Sequence, residues 1–320
     1  MAITVDFDFK RQTRKASSKR LIRTSDGDTP VIELPIRMVS IDTPEKAHYA
    51  GRPSISQVKL DRCKERLQNG FFGNLPQSLK NYLADKITPD AAQHHIAAGQ
   101  DASLKFDEIL ENRLRIDEDS VRKLAVIPTG EIVDGYGRML AYIAPWFSGS
   151  SSDPLPPRDD PARRTFNLEM VENGWAAFFP IYPSLPKNDD LNQTIAAAET
   201  AWDNRLGAWN SYGEDLLLAY EFRACIKLAE PVARAKQGND VRRFYTDEEF
   251  QEALSELDGW EITQKSATDM IEKAFQRHCV DLRDLTVVGK YEFGAVPPCY
   301  RMWIWDDDLD EAIDFLELQS

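Results

Sequence analysis

Short strand-like segments around a tight turn are the feature that most constrains the fold of this chain. The dipeptide Asp26-Gly27 is typical of tight hairpin turns. The strand-like segments span residues 20–23, 31–34, 36–41, 124–127 and 139–143. They predict β-structure built around turns and interrupted by residues 46–120, where the pattern changes to helix and loop.

The second half of the chain has a different pattern, which predicts a second domain. In the first half, the helical windows are residues 79–86, 104–114, 166–175 and 195–209. In the second half, we predict a helical segment over residues 214–236 that is interrupted around Pro231, and helices from 246 onward and over 263–278. We also predict strands over 286–293 and 299–305, and a final acidic helix. We therefore expect a domain at residues 1–212 with a helical insertion at about 46–100, followed by a smaller α+β domain at 213–320. We expect the C-terminal domain to regulate the first or to dock a partner, and to hold no catalytic group.

Composition indicates a folded chain in a reducing compartment. Hydrophobic residues make up 42% and charged residues 29% of the 320, close to globular averages, so a packed core is expected. The cysteines Cys63, Cys225, Cys279 and Cys299 are far apart and match neither a zinc nor a disulfide pattern. We therefore expect reduced thiols and a cytoplasmic location. The N-terminal residues do not resemble a signal peptide, and no apolar run predicts a membrane span.

The charge of the chain is unevenly distributed. A formal net charge of −14 argues against a nucleic-acid partner, because an acidic protein repels a polyanion at long range. Residues 10–23, however, carry seven basic side chains and no acidic one, while the C-terminal residues are strongly acidic. The local field decides where a phosphate binds, so nucleic acid is disfavoured but not excluded.

Three short segments together supply the groups that phosphodiester hydrolysis needs. They are Asp26-Gly27-Asp28-Thr29 and the segments 36–45 and 134–143, which are weak signals when taken singly. A hard cation held by carboxylates neutralises the charge that builds up on the phosphate oxygens. Arginine adds bidentate donors that match phosphate geometry, and a further carboxylate can take the proton from water. The three segments contain all of these groups.

In this order, the segments resemble the staphylococcal nuclease-like (thermonuclease) family over about residues 20–210. The resemblance implies a five-stranded OB-fold β-barrel with helices and a calcium-dependent nuclease activity. It implies Ca²⁺ ligands at Asp28, Asp42 and the Thr43 carbonyl, a general base at Glu45, and phosphate-binding, transition-state-stabilising arginines at Arg37 and Arg138. All six positions match the family pattern, unlike those of its binding-only members.

The tyrosines that face the substrate in the family are only partly matched. Tyr182 fits one of two tyrosines expected near the bound base, while Pro180 occupies the place of the other. Tyr136 fits a further tyrosine on the substrate side. We therefore expect Tyr136 and Tyr182 to bind substrate, with base stacking altered from the family pattern.

Four other features each leave two interpretations open. The basic segment 10–23 either steers nucleic acid or is a solvated arm. The pair His94-His95 either binds a metal or lies on the surface, and Trp303-Ile-Trp305 either stacks on bases or is core. The acidic residues from 306 onward either form an EF-hand-like loop or belong to an ordinary amphipathic helix, which fits better because Glu311 stands where the loop needs glycine.

We predict a hydrolase that acts on phosphodiester bonds, more specifically an endonuclease, with DNA, RNA or both as substrate. The alternative is a nucleic-acid-binding or protein-binding subunit of a larger assembly, in which a partner regulates the nuclease. In that case, the C-terminal domain is where we expect the protein partner to bind.

Overall fold

The computed structural model describes residues 19–46, 51–235, 242–245 and 259–319. The strands are β1 (Leu21–Asp26), β2 (Thr29–Ile32), β3 (Ile36–Met38), β4 (Ser40–Asp42), β5 (Leu124–Val133), β6 (Met139–Pro145), β7 (Ala177–Phe179), β8 (Val232–Ala235), β9 (Arg242–Tyr245), β10 (Arg277–Asp281), β11 (Thr286–Gly289) and β12 (Arg301–Trp305). The α-helices are α1 (Pro53–Gln68), α2 (Gln77–Lys86), α3 (Ala91–Leu114), α4 (Phe166–Glu172), α5 (Asn188–Asp203), α6 (Ala208–Tyr212), α7 (Ala219–Leu228), α8 (Gly259–Ala274) and α9 (Leu309–Leu316). Most of the basic segment 10–23 and the helix predicted from residue 246 lie outside the described residues.

The strands form several small sheets, and with the helices they confirm the predicted α+β class. β1 and β2 form an antiparallel hairpin, and β3 lies parallel to β6, which pairs antiparallel with β5. β4 pairs with β7, β8 with β9, and β10 is the central strand between β11 and β12. Within the described ranges, the N-terminal strands lie in three separate sheets and do not close into one barrel.

One core cluster joins the helices of the insertion to the C-terminal part of the chain. Leu79 and Leu83 of α2 lie in a buried cluster that also contains Phe222 of α7 and Trp303 of β12. Phe293, which lies before β12, belongs to the same cluster. Trp303 is therefore a core residue, as one of its two interpretations expected. The core crosses the boundary expected near residue 212, and the division of the chain into two domains stays a prediction.

Three predicted helices differ from the observed elements, each for an identifiable reason. The helix expected over residues 214–236 is limited to α7, and Pro231, which lacks an N–H group, precedes strand β8. The helix expected over 263–278 ends at Ala274, because Arg277–Asp281 pairs with β12 as β10. The helix expected over 195–209 is split into α5 and α6 at Gly207.

Gly207 has a φ of 56°, and a side chain there would meet the main chain of Asn173 and Gly174, its nearest approach being 2.4 Å from the Asn173 carbonyl oxygen. The contact joins the end of α4 to the α5–α6 connection. Only glycine combines this left-handed conformation with so close an approach.

The acidic C-terminal residues form a short 3₁₀ turn, Asp306–Asp308, followed by α9. Ala312 is buried, and Ile313 and Leu316 pack on the same cluster, as expected for an ordinary amphipathic helix. Within the described part of the chain, no helix combines the length and apolar character needed to cross a membrane.

Candidate functional site

Strand β4 and the residues after it hold three of the predicted site residues close together. Asp42 is paired with Ala177 of β7 and is only 3% exposed, and Thr43 and Glu45 follow it partly buried. Gly99 of α3 lies directly behind this loop: a Cβ atom at that position would be 2.6 Å from the Pro44 carbonyl oxygen. The loop is therefore packed against α3 through main-chain contact.

The buried carboxylate of Asp42 accepts hydrogen bonds from two arginines. Arg37 Nη2 lies 2.9 Å from Oδ1, and Arg223 lies 2.7 Å from Oδ2 through Nη2 and 3.4 Å from Oδ1 through Nη1. Burial alone would raise the pKa of Asp42, but the charges of Arg223 and then Arg37 outweigh it, and the pKa lies below its ordinary value. Asp42 is therefore an anion whose two oxygens both have guanidinium partners.

Glu45 shares one of these arginines and is positioned by a buried histidine. Arg223 Nη1 lies 2.6 Å from Glu45 Oε1, so a single guanidinium connects Asp42 and Glu45. The main-chain N–H of Glu45 donates to His95 Nε2 at 2.9 Å, which leaves Nδ1 to donate to the Leu217 carbonyl at 2.9 Å. Both ring nitrogens of His95 thus form hydrogen bonds with main-chain atoms.

His95 is fully buried and stacks on Phe222, with ring centroids 4.0 Å apart and the planes 1° from parallel. Burial is the main cause that lowers its pKa to about 4, so the ring is neutral at physiological pH. Neither interpretation of the pair His94-His95 fits His95, which is neither placed to bind a metal nor on the surface. Its neighbour His94 is exposed and lies beside Tyr212, with ring centroids 5.8 Å apart.

Helix α7, which carries Arg223, is anchored by a buried polar network around Glu221. The Glu221 carboxylate is fully buried and accepts hydrogen bonds from Tyr82 at 2.6 Å, Lys86 at 2.9 Å and Arg301 at 3.0 Å. Burial would raise its pKa, but the charges of Lys86 and Arg301 lower it to about 2. The network ties α7 to α2 and β12 only two residues away from Arg223.

The third motif forms a turn that leads into β6. Arg138 donates from Nε to Asp134 Oδ2 at 2.8 Å and lies over the Tyr136 ring, with Cζ 5.3 Å from the centroid. Because β6 is parallel to β3 and pairs Met139 with Ile36, Arg138 enters the sheet beside the strand that carries Arg37. Tyr136 is 83% exposed, which leaves its ring accessible.

The residues implied for calcium do not form a cation site in this arrangement. Calcium takes about six to eight oxygen ligands. Among the described residues, no three His, Cys, Asp or Glu side chains are close enough together to hold a metal ion. Asp28 lies exposed at the β1–β2 turn, where it accepts a hydrogen bond from Thr29 Oγ1 at 3.1 Å, and both Asp42 oxygens accept from arginines. The residues as placed do not fit the ion.

Tyr182, the other predicted substrate residue, lies in the interior. It is 5% exposed, belongs to a cluster with Met302 and Ile304, and donates a hydrogen bond to Glu311 at 3.0 Å. These contacts are those of a core tyrosine with a satisfied hydroxyl. Its role in substrate binding stays a prediction.

Two arginines of the C-terminal segment were missed by the sequence analysis. Arg223 is 181 positions from the aspartate with which it pairs, and no motif or spacing connects the two. Arg277 is the first residue of β10, and its pKa is affected by the charges of Asp42, Arg37 and Arg223. Neither belongs to the three motifs, so no sequence signal pointed to them.

The comparisons with known proteins agree with the motifs. The model of the staphylococcal nuclease homologue family matches residues 35–211, a segment that begins after Asp28 and ends before Arg223. A comparison with curated proteins finds no match. The family implies an OB fold, and its members generally hydrolyse phosphodiester bonds. Because the match covers more than half of the 320 residues, the chain belongs to the staphylococcal nuclease homologue family.

Proposed function

We propose that the chain is a nuclease that hydrolyses phosphodiester bonds of DNA, RNA or both, with Glu45 as the general base. The ion-pair group of Asp42, Glu45, Arg37 and Arg223 carries this proposal. It places a partly exposed carboxylate beside guanidinium donors, whose planar N–H groups suit phosphate oxygens. A base for water and donors for the phosphate are thus adjacent.

In the proposed reaction, a carboxylate oxygen of Glu45 accepts a proton from water as the water oxygen attacks phosphorus. The bond from phosphorus to one ester oxygen breaks, and that oxygen takes a proton and leaves as a hydroxyl. The products are one phosphate monoester end and one hydroxyl end. Negative charge grows on the non-bridging oxygens during attack, and arginine donors stabilise it most where water is excluded.

Arg37 and Arg138 are proposed as the donors to the reacting phosphate. Arg37 lies on β3, and Arg138 directly precedes β6, the neighbouring parallel strand. Arg37 is 30% and Arg138 39% exposed, so each side chain can reach a ligand while paired to a carboxylate. The exposed ring of Tyr136 next to Arg138 supports a role in contacting a nucleotide base.

Calcium dependence is proposed from the family resemblance alone. Because the residues as placed do not fit the ion, no step above passes through it. Digestion in excess chelator, compared with digestion in calcium, measures the dependence directly. Full activity in chelator would contradict a calcium requirement and leave the other parts of the proposal in place.

The central test is digestion of labelled single-stranded and double-stranded DNA and RNA by the full chain. Covalently closed circular DNA is included because it has no ends, so nicking it requires an endonuclease. Glu45→Gln is the matched control for a contaminating nuclease, because it removes the proposed base while keeping the shape of the side chain. Equal digestion by both proteins would refute the assignment.

One observation favours a second candidate, a binding subunit that holds nucleic acid without cutting it. Arg223 already forms ion pairs with both Asp42 and Glu45. The resemblance assigns Asp42 to metal binding and Glu45 to the role of general base. Under this alternative, a protein partner at the C-terminal segment supplies or controls cleavage. Binding of a labelled oligonucleotide without digestion in either calcium or chelator, and a co-purified partner, would favour it.

A further inference from the structure

Arg277 is a cation without a hydrogen-bond or carboxylate partner among the described residues. Its Nε atom is buried and unpaired, and no described carboxylate lies within ion-pair distance of its guanidinium. The side chain contacts two aromatic rings: Cζ is 3.9 Å from the Trp305 centroid and 5.6 Å from the Phe179 centroid. The rings attract the charge of the guanidinium but accept no strong hydrogen bond. Its buried Nε donor is therefore unused among the described residues.

Arg277 belongs electrostatically to the site at β4. Phe179, which its guanidinium contacts, pairs with Ser40, at the start of the strand that ends at Asp42. Burial, and then the positive charges of Arg223 and Arg37, lower the pKa of Arg277 to about 10, while Asp42 offsets part of this effect. We call Arg37, Arg223 and Arg277 the arginine cluster, because their charges act on one another.

The arginine cluster carries more positive charge than its carboxylates neutralise. Among the described residues, Asp42 and Glu45 pair with Arg37 and Arg223, which leaves Arg277 as a surplus cation. Lys227, one turn along α7 from Arg223, adds to the field, since its pKa is lowered by burial and then by Arg277 and Arg223. A local surplus of this kind in a chain of net charge −14 favours an anionic ligand.

We propose that the arginine cluster is a binding site for a phosphodiester of the nucleic-acid backbone, with Arg277 as its unpaired donor. Two of the three guanidinium groups then come from the C-terminal segment, beyond the residues matched by the family. The C-terminal segment, which was expected to hold no catalytic group, would then supply part of the phosphodiester-binding site. The inference rests on the proposed function, because that function makes the ligand a phosphodiester.

The test measures binding rather than cleavage. A fluorescently labelled single-stranded oligodeoxynucleotide is titrated with the full chain in excess chelator, and its anisotropy is followed at several salt concentrations. Arg277→Gln should weaken binding about 10- to 100-fold, the range for one lost hydrogen bond to a charged group. It should also reduce the slope of log Kobs against log salt by about 0.7, the value for one phosphate contact on a single strand.

Arg283→Gln is the matched control. Arg283 lies just after β10 and pairs with Asp281 at 2.5 Å, and its substitution changes the net charge equally. Its binding and salt slope should match those of the wild type. Arg277→Lys keeps the charge but loses the planar donors, so it should bind with intermediate affinity and an unchanged salt slope.

Urea unfolding separates a binding role from a structural one. Arg277→Gln loses the attraction of the two rings but also the repulsion from like charges, so its urea midpoint should stay close to that of the wild type. If Arg277→Gln proves unfolded, Arg277→Lys carries the test, and wild-type affinity in it would overturn the proposal. Wild-type affinity in a folded Arg277→Gln would also overturn it, even if the chain cleaves nucleic acid. A wild type that neither binds nor cleaves would instead refute the proposed function.

Discussion

Replacing Arg223 with glutamine should cost about 2–3 kcal/mol in the free energy of unfolding at pH 7. Removing one partner of a fully buried ion pair costs about 3–5 kcal/mol. The cost here is lower because Asp42 keeps Arg37, and because the Arg223 and Glu45 side chains are 24% and 22% exposed. Urea denaturation with an unchanged m-value measures the difference.

The pH dependence of this cost tests the electrostatic origin. The pKa of Asp42 is lowered in the folded chain, so its stabilisation is present above the ordinary carboxyl pKa of about 4 and is lost as the pH falls through the lowered value. The difference in the free energy of unfolding between wild type and Arg223→Gln should therefore decrease as the pH is lowered from about 7. A gap that stays constant with pH would refute the ion-pair explanation.

Arg205→Gln is the control for this experiment. Arg205 pairs with Glu214 at the surface, where the two side chains are 65% and 53% exposed. Exposed pairs contribute about 0–1 kcal/mol, so this variant should remain close to the wild type. An equal cost for both variants would mean that burial of Asp42 adds nothing to the pair.

Three further predictions concern the proposed reaction and the loop that holds its base. Arg37→Ala and Arg138→Ala should each lower turnover by about 10²–10³-fold, and cleavage at the wild-type rate by both would place the active site elsewhere. Glu45→Gln should slow hydrolysis by about 10²–10⁴-fold while oligonucleotide binding in chelator is kept; an unchanged rate would exclude Glu45 as the base. His95→Phe preserves stacking on Phe222 but leaves two main-chain groups unpaired, so it should cost about 2–4 kcal/mol in urea unfolding. Since the pKa of His95 is lowered to about 4, the wild type should lose stability as the pH falls from about 6.5 to 4, whereas His95→Phe should show a flatter profile there.

The sequence predicted the local structure where the decisive interactions are local. Strand β6 and helix α2 follow directly from apolar patterns and turn residues. The strand predicted over residues 36–41 is instead divided at Val39 into β3 and β4, which lie in different sheets. The predicted helix over residues 263–278 was too long because Arg277–Asp281 pairs with β12, a partner about twenty residues later that helical spacing does not indicate. Tertiary pairing decided the outcome where local propensity was ambiguous.

The candidate site was only partly accessible to sequence reasoning. The motif around β4 identified Asp42 and Glu45 through the family resemblance, and the two carboxylates do lie together. Their shared partner Arg223 lies on α7, within a segment for which the sequence predicted only helical structure. The packing around Glu221 positions α7 so that the Arg223 guanidinium lies in the site. The spacing of residues along the sequence does not indicate such a contact.

The main-chain contact behind the Pro44–Glu45 loop restricts how the site can open. Gly99 and His95 lie behind the loop on adjacent turns of α3. Gly99 contacts the loop through close approach of the main chain, and His95 accepts a hydrogen bond from it. The loop therefore has no room to move toward α3 when a ligand binds, and adjustment is left to side chains such as Arg223, which pairs with Glu45. Substituting alanine for Gly99 would displace the loop and, with it, the proposed base Glu45.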